Sequence, residues 1–240
     1  MRPTFLLGAS LSLAACAHEH AACVEAPTAG HEHHHGHGHG HADNGETPAH
    51  HHRFDDAARW AQEFENPERD AWQRPDLVVS SLSLARDARA ADIGSGTGYF
   101  AVRLARAAPE GRVWGVDVEP SMVRWLNERA RREGITNLFS TLAAPDDALL
   151  PEPVDLVLVV DTWHHIEHRA AYFTALRASL RPGGRVAVVD FRADSPVGPP
   201  PQMRVAPEEV RRDMESAGYT FERSVEGLSR QYMLIFQRGR

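Results

Sequence analysis

Residues 91–100 read ADIGSGTGYF, and this stretch decides the fold. It follows a short apolar run and precedes a helical pattern, so it predicts a strand, a glycine-rich loop and a helix. Three glycines alternate with small polar residues at positions 94, 96 and 98. Glycine permits a positive φ and lets a ligand approach the main chain closely. The arrangement is typical of a nucleotide-binding cleft at the edge of an open α/β sheet.

The spacing of the glycines separates two types of cleft. The dinucleotide fingerprint G-x-G-x-x-G, counted from Gly94, needs a glycine at position 99, where the chain has Tyr99. Asp92 precedes the loop, and an acid there repels a pyrophosphate but suits a ligand with ammonium and sulfonium groups. The resulting D-x-G-x-G-x-G pattern resembles the first motif of the class I S-adenosylmethionine (SAM) dependent methyltransferases. A plain glycine-rich turn and a dinucleotide-dependent oxidoreductase are the alternatives.

The resemblance implies SAM as the cofactor and assigns residues to it. The acid before the loop lies near the methionine moiety, and Asp117, at the end of the second predicted strand, accepts hydrogen bonds from the ribose. Its alternative role is to cap the following helix. An acid after the third strand meets the adenine amino group, for which Asp146 is preferred over Asp147. The predicted cofactor-binding residues are Asp92, Gly94, Ser95, Gly96, Thr97, Gly98, Asp117, Val118 and Asp146.

The candidate catalytic residues follow the fourth predicted strand, where the chain reads Asp161-Thr162-Trp163-His164-His165. Many small-molecule methyltransferases resemble this chain in having a histidine there. A neutral histidine accepts the proton of an O–H, N–H or S–H nucleophile. The predicted set is His164 as the preferred base, His165, which alternatively caps the next helix, and Asp161.

Metal is not predicted in the active site. Asp161 and Asp190 end neighbouring predicted strands, and catechol-type enzymes place metal-binding acids at similar points. Here Phe191 follows Asp190, where that type has an amide.

From residue 87 onward, strand and helix patterns alternate, which indicates a mostly parallel sheet. We predict an α/β fold of the Rossmann-like type: a mostly parallel seven-stranded sheet with helices on both faces and a C-terminal antiparallel hairpin. Residues 87–240 form the predicted SAM-binding methyltransferase domain, preceded by a helical cap over 53–86. In the cap, Trp72 and Gln73 either shape the substrate pocket or pack a helix onto the sheet. The predicted strands are 89–93, 112–116, 138–142, 154–160, 185–190, 219–225 and 231–236, and one predicted helix spans 169–180.

Residues 1–16 resemble a bacterial lipoprotein signal. Arg2 provides a positive start, an apolar run covers 5–13, and Leu13-Ala14-Ala15-Cys16 matches the lipobox pattern. The apolar run is too short to span a bilayer. The sequence therefore predicts lipidation at Cys16 and a protein anchored in the cell envelope on the periplasmic side. If the signal is misread, the protein is cytoplasmic.

Residues 17–52 form a predicted disordered linker rich in histidine. Of the 15 histidines in the chain, all but His164, His165 and His168 lie here. Clustered neutral imidazoles bind divalent Zn, Ni or Cu, so this tract is either a metal site or a hydrophilic spacer. The candidate ligands are His31, His33, His34, His35, His37, His39 and His41.

Composition limits the partners. The net charge is −7 and the pI is about 6.1, which argues against a nucleic-acid binder. Both cysteines, Cys16 and Cys23, precede the domain, which excludes a disulfide or cysteine nucleophile within it. The leading interpretation is methyl transfer to a small molecule, with a protein substrate second. The other alternative is a metal-handling lipoprotein whose SAM-binding domain has little turnover.

Overall fold

A computed structural model describes residues 56–239. The predicted signal segment 1–16, the lipidation site Cys16 and the histidine-rich linker 17–52 lie outside the described residues. Within residues 56–239, none of the helices is both long enough and apolar enough to cross a bilayer.

The centre of the fold is one seven-stranded sheet in the order β3-β2-β1-β4-β5-β7-β6. Strands β1 to β5 pair in parallel, whereas β7 is antiparallel to both β5 and β6. This arrangement confirms the predicted Rossmann-like sheet with its C-terminal antiparallel hairpin. The strands are β1 Arg89–Ile93, β2 Arg112–Asp117, β3 Leu138–Leu142, β4 Val154–Val160, β5 Leu180–Phe191, β6 Tyr219–Val225 and β7 Gln231–Arg238.

Helices pack on both faces of the sheet, where two apolar clusters form the core. The central strand β4 contributes apolar side chains to both clusters. Its residues Val157 and Val159 join one cluster, while Leu156 and Leu158 join the other, as the two-residue period of a strand requires. The helices are α1 Ala57–Phe64, α2 Glu68–Gln73, α3 Pro75–Ser81, α4 Tyr99–Ala107, α5 Pro120–Arg132, α6 Arg169–Leu176 and α7 Pro207–Ser216, with short 3-10 turns at Trp163–His165, Arg177–Ser179 and Pro201–Met203.

The largest difference between the predicted and the observed boundaries lies between α6 and β5. Helix α6 ends at Leu176 rather than at residue 180, and Leu180 already belongs to β5, opposite Val154. The register between β4 and β5 then shifts before it resumes at the pair Leu156 and Arg185. Residues 181–184, Arg-Pro-Gly-Gly, therefore lie inside the strand as an irregularity, because tertiary pairing outweighs the local turn signal.

Substitution of Gly98 tests how the glycine loop is fixed to the core. Gly98 precedes α4 with φ at 94°, and an added Cβ would lie 2.2 Å from Cδ1 of Leu126. We expect Gly98→Ala to lower the free energy of unfolding by about 2–4 kcal/mol, from left-handed strain and overpacking together. The midpoint of urea unfolding measures this loss.

The control for this prediction is Gly134→Ala. Gly134 has φ at 65°, but an added Cβ would meet nothing within 4 Å. This variant should lose only about 1 kcal/mol, the cost of the backbone conformation. Equal losses in the two variants would contradict the proposed clash with Leu126.

Candidate active site

A cavity of about 610 Å³ lies at the carboxyl ends of the parallel strands. The chain reverses its direction of strand addition at β1, which has β2 on one side and β4 on the other, and ligands bind at such points in open α/β sheets. Residues of α1, α2 and the segment 197–203 also line the cavity. Its volume is in the usual range for a small-molecule site.

The glycine loop after β1 brings main chain to the wall of this cavity. Gly94 and Gly96 have φ at 72° and 52°, and both line the cavity. A Cβ on Gly94 would lie 2.2 Å from Oγ1 of Thr162, so no other residue fits between β1 and the end of β4. Gly98, in contrast, is not among the lining residues, and it packs against Leu126 instead.

Two buried acids, Asp92 and Asp117, face the same cavity. One carboxylate oxygen of Asp117 accepts a hydrogen bond from the Gly96 amide at 2.8 Å, and the other accepts from the Glu119 amide at 3.0 Å. Burial raises the pKa of Asp92 to about 7, and the nearby charge of Asp117 adds to this rise. Burial also raises the pKa of Asp117 above its ordinary value, although its amide partners oppose the shift.

The charged residues of the lining are predominantly acidic. Arg69 is the only Lys or Arg among the described residues that line the cavity. The acids in the lining are Glu63, Asp92, Asp117, Glu119 and Asp161. Because burial penalises unneutralised charge, this cavity favours a cationic ligand.

The other predicted cofactor residues divide into two groups. Ser95, Thr97 and Val118 line the cavity, and the buried hydroxyl of Ser95 has no hydrogen-bond partner. The Thr97 hydroxyl donates to Glu65 at the end of α1, at 2.7 Å. Asp146 is exposed and is not part of the lining, so its contact with adenine stays a prediction.

His164 is held by an acid behind the cavity wall. Its Nδ1 lies 3.1 Å from each carboxylate oxygen of Asp190, whose side chain is completely buried. His164 itself lines the cavity with 4% of its side chain exposed. Since Nδ1 is engaged, Nε2 is the ring nitrogen left for the cavity. His165 also lines the cavity, with its ring centroid 4.2 Å from that of His164.

Asp161 is hydrogen-bonded to helix α2 and to strand β7. Its carboxylate accepts hydrogen bonds from Arg69 at 3.3 Å, from Gln73 at 3.1 Å and from Gln231. Burial raises its pKa to about 6, against the lowering effect of Arg69. The network joins the end of β4 to α2 and β7, so the geometry favours a positioning role for Asp161.

Among residues 56–239, no group of three or more His, Cys, Asp or Glu side chains is arranged to hold a metal ion.

Two residues of the site, Arg69 and Asp190, were not predicted to bind the cofactor or to take part in the reaction. Arg69 lines the cavity from α2, and Asp190 supports His164 from β5. A sequence signal existed for Asp190, because it lies at the end of predicted strand five, just as Asp161 lies at the end of predicted strand four. No such signal marked Arg69, which lies in a charged helix. Of the two cap residues singled out, Trp72 lines the cavity, whereas Gln73 is buried behind it.

Comparison with known proteins agrees with this geometry. A protein-family model described as "Methyltransferase domain" matches residues 90–184. The ubiquinone/menaquinone biosynthesis C-methyltransferase UbiE of Cupriavidus taiwanensis is 35% identical over 104 residues, covering 42% of each chain. The UbiE protein of Burkholderia cenocepacia is 30% identical over 123 residues, covering 50% of this chain and 49% of the relative. The chain thus spans about half the length of the curated relatives it matches.

Solved structures share the fold. A SAM-dependent methyltransferase from Aquifex aeolicus superimposes with a TM-score of 0.70 at 22% identity, covering 76% of this chain and 98% of that one. Magnesium protoporphyrin IX methyltransferase from Synechocystis, solved with bound S-adenosylhomocysteine (SAH), gives 0.61 at 17% identity, covering 78% and 96%. The (4+2)-cyclase SpnF gives 0.60 at 18% identity, covering 70% and 81%. Together with the family match, these similarities confirm the resemblance in the loop motif: the chain contains a methyltransferase domain and has the class I SAM-dependent methyltransferase fold.

Proposed function

We propose that this protein is a SAM-dependent methyltransferase that acts on a small-molecule acceptor. The observation that supports this best is the pair of buried acids, Asp92 and Asp117, beside the main chain of Gly94 and Gly96 in one cavity. Arg69 is the only Lys or Arg in the described lining, so the protein does not fully neutralise the negative charges of the two acids. A ligand that carries positive charge is therefore stabilised beside them.

The residues of this cavity fit the cofactor's chemistry. Asp92 would receive the ammonium of the methionine moiety, and Asp117 the ribose hydroxyls. Val118 and Met122 line the same cavity and would contact the adenine, with Asp146 as the candidate partner of its amino group. When bound, SAM supplies an electrophilic methyl carbon attached to sulfur.

The acceptor is proposed to be a hydroxylated aromatic molecule. Apolar side chains from α1, α2 and the segment after β5 complete the lining, namely Trp60, Trp72, Phe191, Val197, Pro199 and Met203. The ring centroids of Trp72 and Phe191 are 5.8 Å apart. Such walls favour a planar apolar body, while the acidic lining disfavours an anionic one. The UbiE relatives are named for methylation in ubiquinone and menaquinone biosynthesis, which agrees with an acceptor of this class.

The protein's own contribution to the reaction is alignment, desolvation and removal of a proton. The cavity would hold the acceptor in line with the methyl group and exclude water, which favours a transition state in which the positive charge of the sulfonium is dispersed. Nε2 of His164 accepts the acceptor's proton. Asp161 orders α2 over the site through Arg69 and Gln73.

Substitution of Asp117 tests cofactor binding. We expect Asp117→Ala to weaken binding of SAM and SAH by the full-length chain tenfold or more. A lost charge-assisted hydrogen bond costs about 1.5–3 kcal/mol, and the variant also releases the Gly96 amide that Asp117 holds. Isothermal titration calorimetry measures both affinities.

Two further variants complete this experiment. Asp87→Ala removes an exposed acid outside the cavity and should bind as the wild type does. Asp146→Ala should weaken binding several-fold if Asp146 contacts the adenine, and unchanged affinity would exclude that contact. Unchanged affinity in Asp117→Ala would exclude the ribose assignment, and absence of binding by the wild type would contradict the proposed function.

The class of acceptor is tested by measuring how fast SAH forms from SAM when each compound of a panel is added to the protein. Phenols, catechols and hydroquinones should support turnover, whereas aliphatic carboxylates should not. Turnover on a peptide library alone would favour a protein substrate. Tight NAD binding without SAM binding would favour the oxidoreductase alternative, and metal binding without SAM binding would favour the metal-handling alternative.

We also propose that the chain is exported and lipidated at Cys16, with the histidine-rich tract as a tether that binds divalent metal. The lipobox-like residues before Cys16 support the first part, and the density of imidazoles supports the second. Mass spectrometry of the membrane fraction should find lipid on Cys16, and an unmodified N-terminus would place the protein in the cytoplasm.

A further inference from the structure

Asp190 contacts His164 at one defined ring nitrogen. Both carboxylate oxygens of Asp190 lie 3.1 Å from the same ring atom, Nδ1. Asp190 is fully buried at the end of β5 and is not part of the cavity lining. Its carboxylate is hydrogen-bonded to a side chain that does line the cavity, that of His164.

An ionised carboxylate accepts hydrogen bonds and donates none. Facing Asp190, Nδ1 of a neutral imidazole must carry the proton, and the lone pair is then on Nε2. We propose that Asp190 is a positioning residue that fixes this tautomer of His164 and so keeps a proton acceptor directed at the cavity. This inference rests on the proposed function, since it assigns a partner to that reaction's base.

These groups account for every proton and electron pair in the methyl-transfer step. The acceptor's O–H proton moves to Nε2, and an oxygen lone pair forms the new bond to the methyl carbon. The carbon–sulfur electron pair stays on sulfur, which becomes a neutral thioether. His164 becomes an imidazolium whose charge faces the carboxylate of Asp190, and it returns the proton to solvent after product release.

The neighbourhood of Asp190 makes one substitution especially informative. Its Oδ1 accepts a hydrogen bond from the Phe191 amide at 2.7 Å. In Asp190→Asn, this amide favours the carboxamide oxygen at the Oδ1 place, so the NH₂ group takes the place of Oδ2. Both places lie 3.1 Å from Nδ1 of His164, so Nδ1 faces one acceptor and one donor instead of two acceptors. The donor favours a lone pair on Nδ1 and a proton on Nε2. The size of the side chain is unchanged, but the negative charge that faces the imidazolium is lost.

Nitrogen NMR of the imidazole reads this tautomer directly. Long-range proton–nitrogen correlation spectra of the ¹⁵N-labelled full-length chain are recorded at a pH where the ring is neutral, and His164→Gln assigns the signals. We expect the proton on Nδ1 in the wild type and a larger population of the Nε2–H tautomer in Asp190→Asn. The matched control Asp194→Asn, which removes an exposed acid of the same segment, should match the wild type.

Kinetics and calorimetry complete the test. With a phenolic acceptor from the panel, Asp190→Asn should lower kcat at least 100-fold and leave SAH affinity within twofold. A wild-type proton on Nε2, or the same tautomer populations in both proteins, would overturn the inference. The wild-type spectrum alone decides it if the variant fails to fold. Absence of SAH binding would contradict the proposed function instead, so the two failures are distinct.

Discussion

Replacement of His164 by glutamine is expected to lower kcat by about 10²–10⁴-fold, the usual contribution of a positioned general base. Glutamine fills a similar space beside Asp190 but cannot accept a proton at neutral pH. SAH affinity should stay within twofold, because His164 is assigned to the acceptor rather than to the cofactor. The rate of SAH formation under saturating acceptor and SAM measures the effect.

His165→Gln is the control for this experiment. His165 is the exposed neighbour that lines the same cavity, whereas His164 is the one held through Nδ1 by Asp190. Its substitution should change kcat less than fivefold. A larger loss in His165→Gln than in His164→Gln would transfer the role of base to His165. A rise in KM alone for His164→Gln would make His164 a binding residue.

Local rules explain which parts of the fold were predictable. The glycine loop has a signature because only glycine fits its φ angles and its approach to Thr162. The central strand β4 has one because both of its faces are covered by apolar core clusters, which requires apolar residues at successive positions. The acids Asp92 in β1 and Asp117 in β2 line one cavity, and their assignment to the cofactor stays a prediction.

Long-range contacts explain what was not predictable. Arg69 reaches Asp161 across 92 positions of the chain, and Glu65 joins Thr97 to Arg129. No spacing rule connects such residues, because the packing of α1 and α2 over the sheet decides the contacts. The end of α6 was missed for a related reason, since the pairing of Leu180 with Val154 overrides its local sequence.

Fold similarity alone does not decide the activity. SpnF, described as a (4+2)-cyclase, shares this fold with a TM-score of 0.60, and a fold of this type hosts different reactions. The argument for methyl transfer therefore depends on the chemistry of the cavity: the acid pair that suits a cationic cofactor and the oriented histidine that suits an acceptor with a removable proton.

Binding of SAH is expected to weaken roughly eightfold when the pH falls from 7.5 to 6. The pKa of Asp92 in the ligand-free protein is raised to about 7 by burial. Lower pH therefore neutralises the carboxylate that would pair with the ligand's ammonium, and each pKa unit corresponds to a factor of ten. Calorimetric titrations at several pH values measure the dependence.

A ligand without the amino-acid moiety isolates the contribution of Asp92. Because 5′-methylthioadenosine keeps the adenosine but has no ammonium, any pH dependence that Asp117 causes should be common to both ligands. The ratio of the two affinities should therefore change with pH in the wild type and stay constant in Asp92→Asn. A constant ratio in the wild type would contradict the pairing of Asp92 with the ammonium.

Asp92→Asn should have opposite effects on the stability of the protein and on its affinity for SAH. A raised folded-state pKa means that ionisation of Asp92 destabilises the ligand-free protein as the pH rises from about 4 to 7. Removing this charge in Asp92→Asn should increase the free energy of unfolding by up to about 4 kcal/mol above pH 7, with little change near pH 4. SAH affinity should fall roughly 10–100-fold. A variant that is both less stable and weaker in binding at pH 8 would show that Asp92 serves the fold, whereas a more stable variant with weak binding identifies it as a charge kept for the ligand.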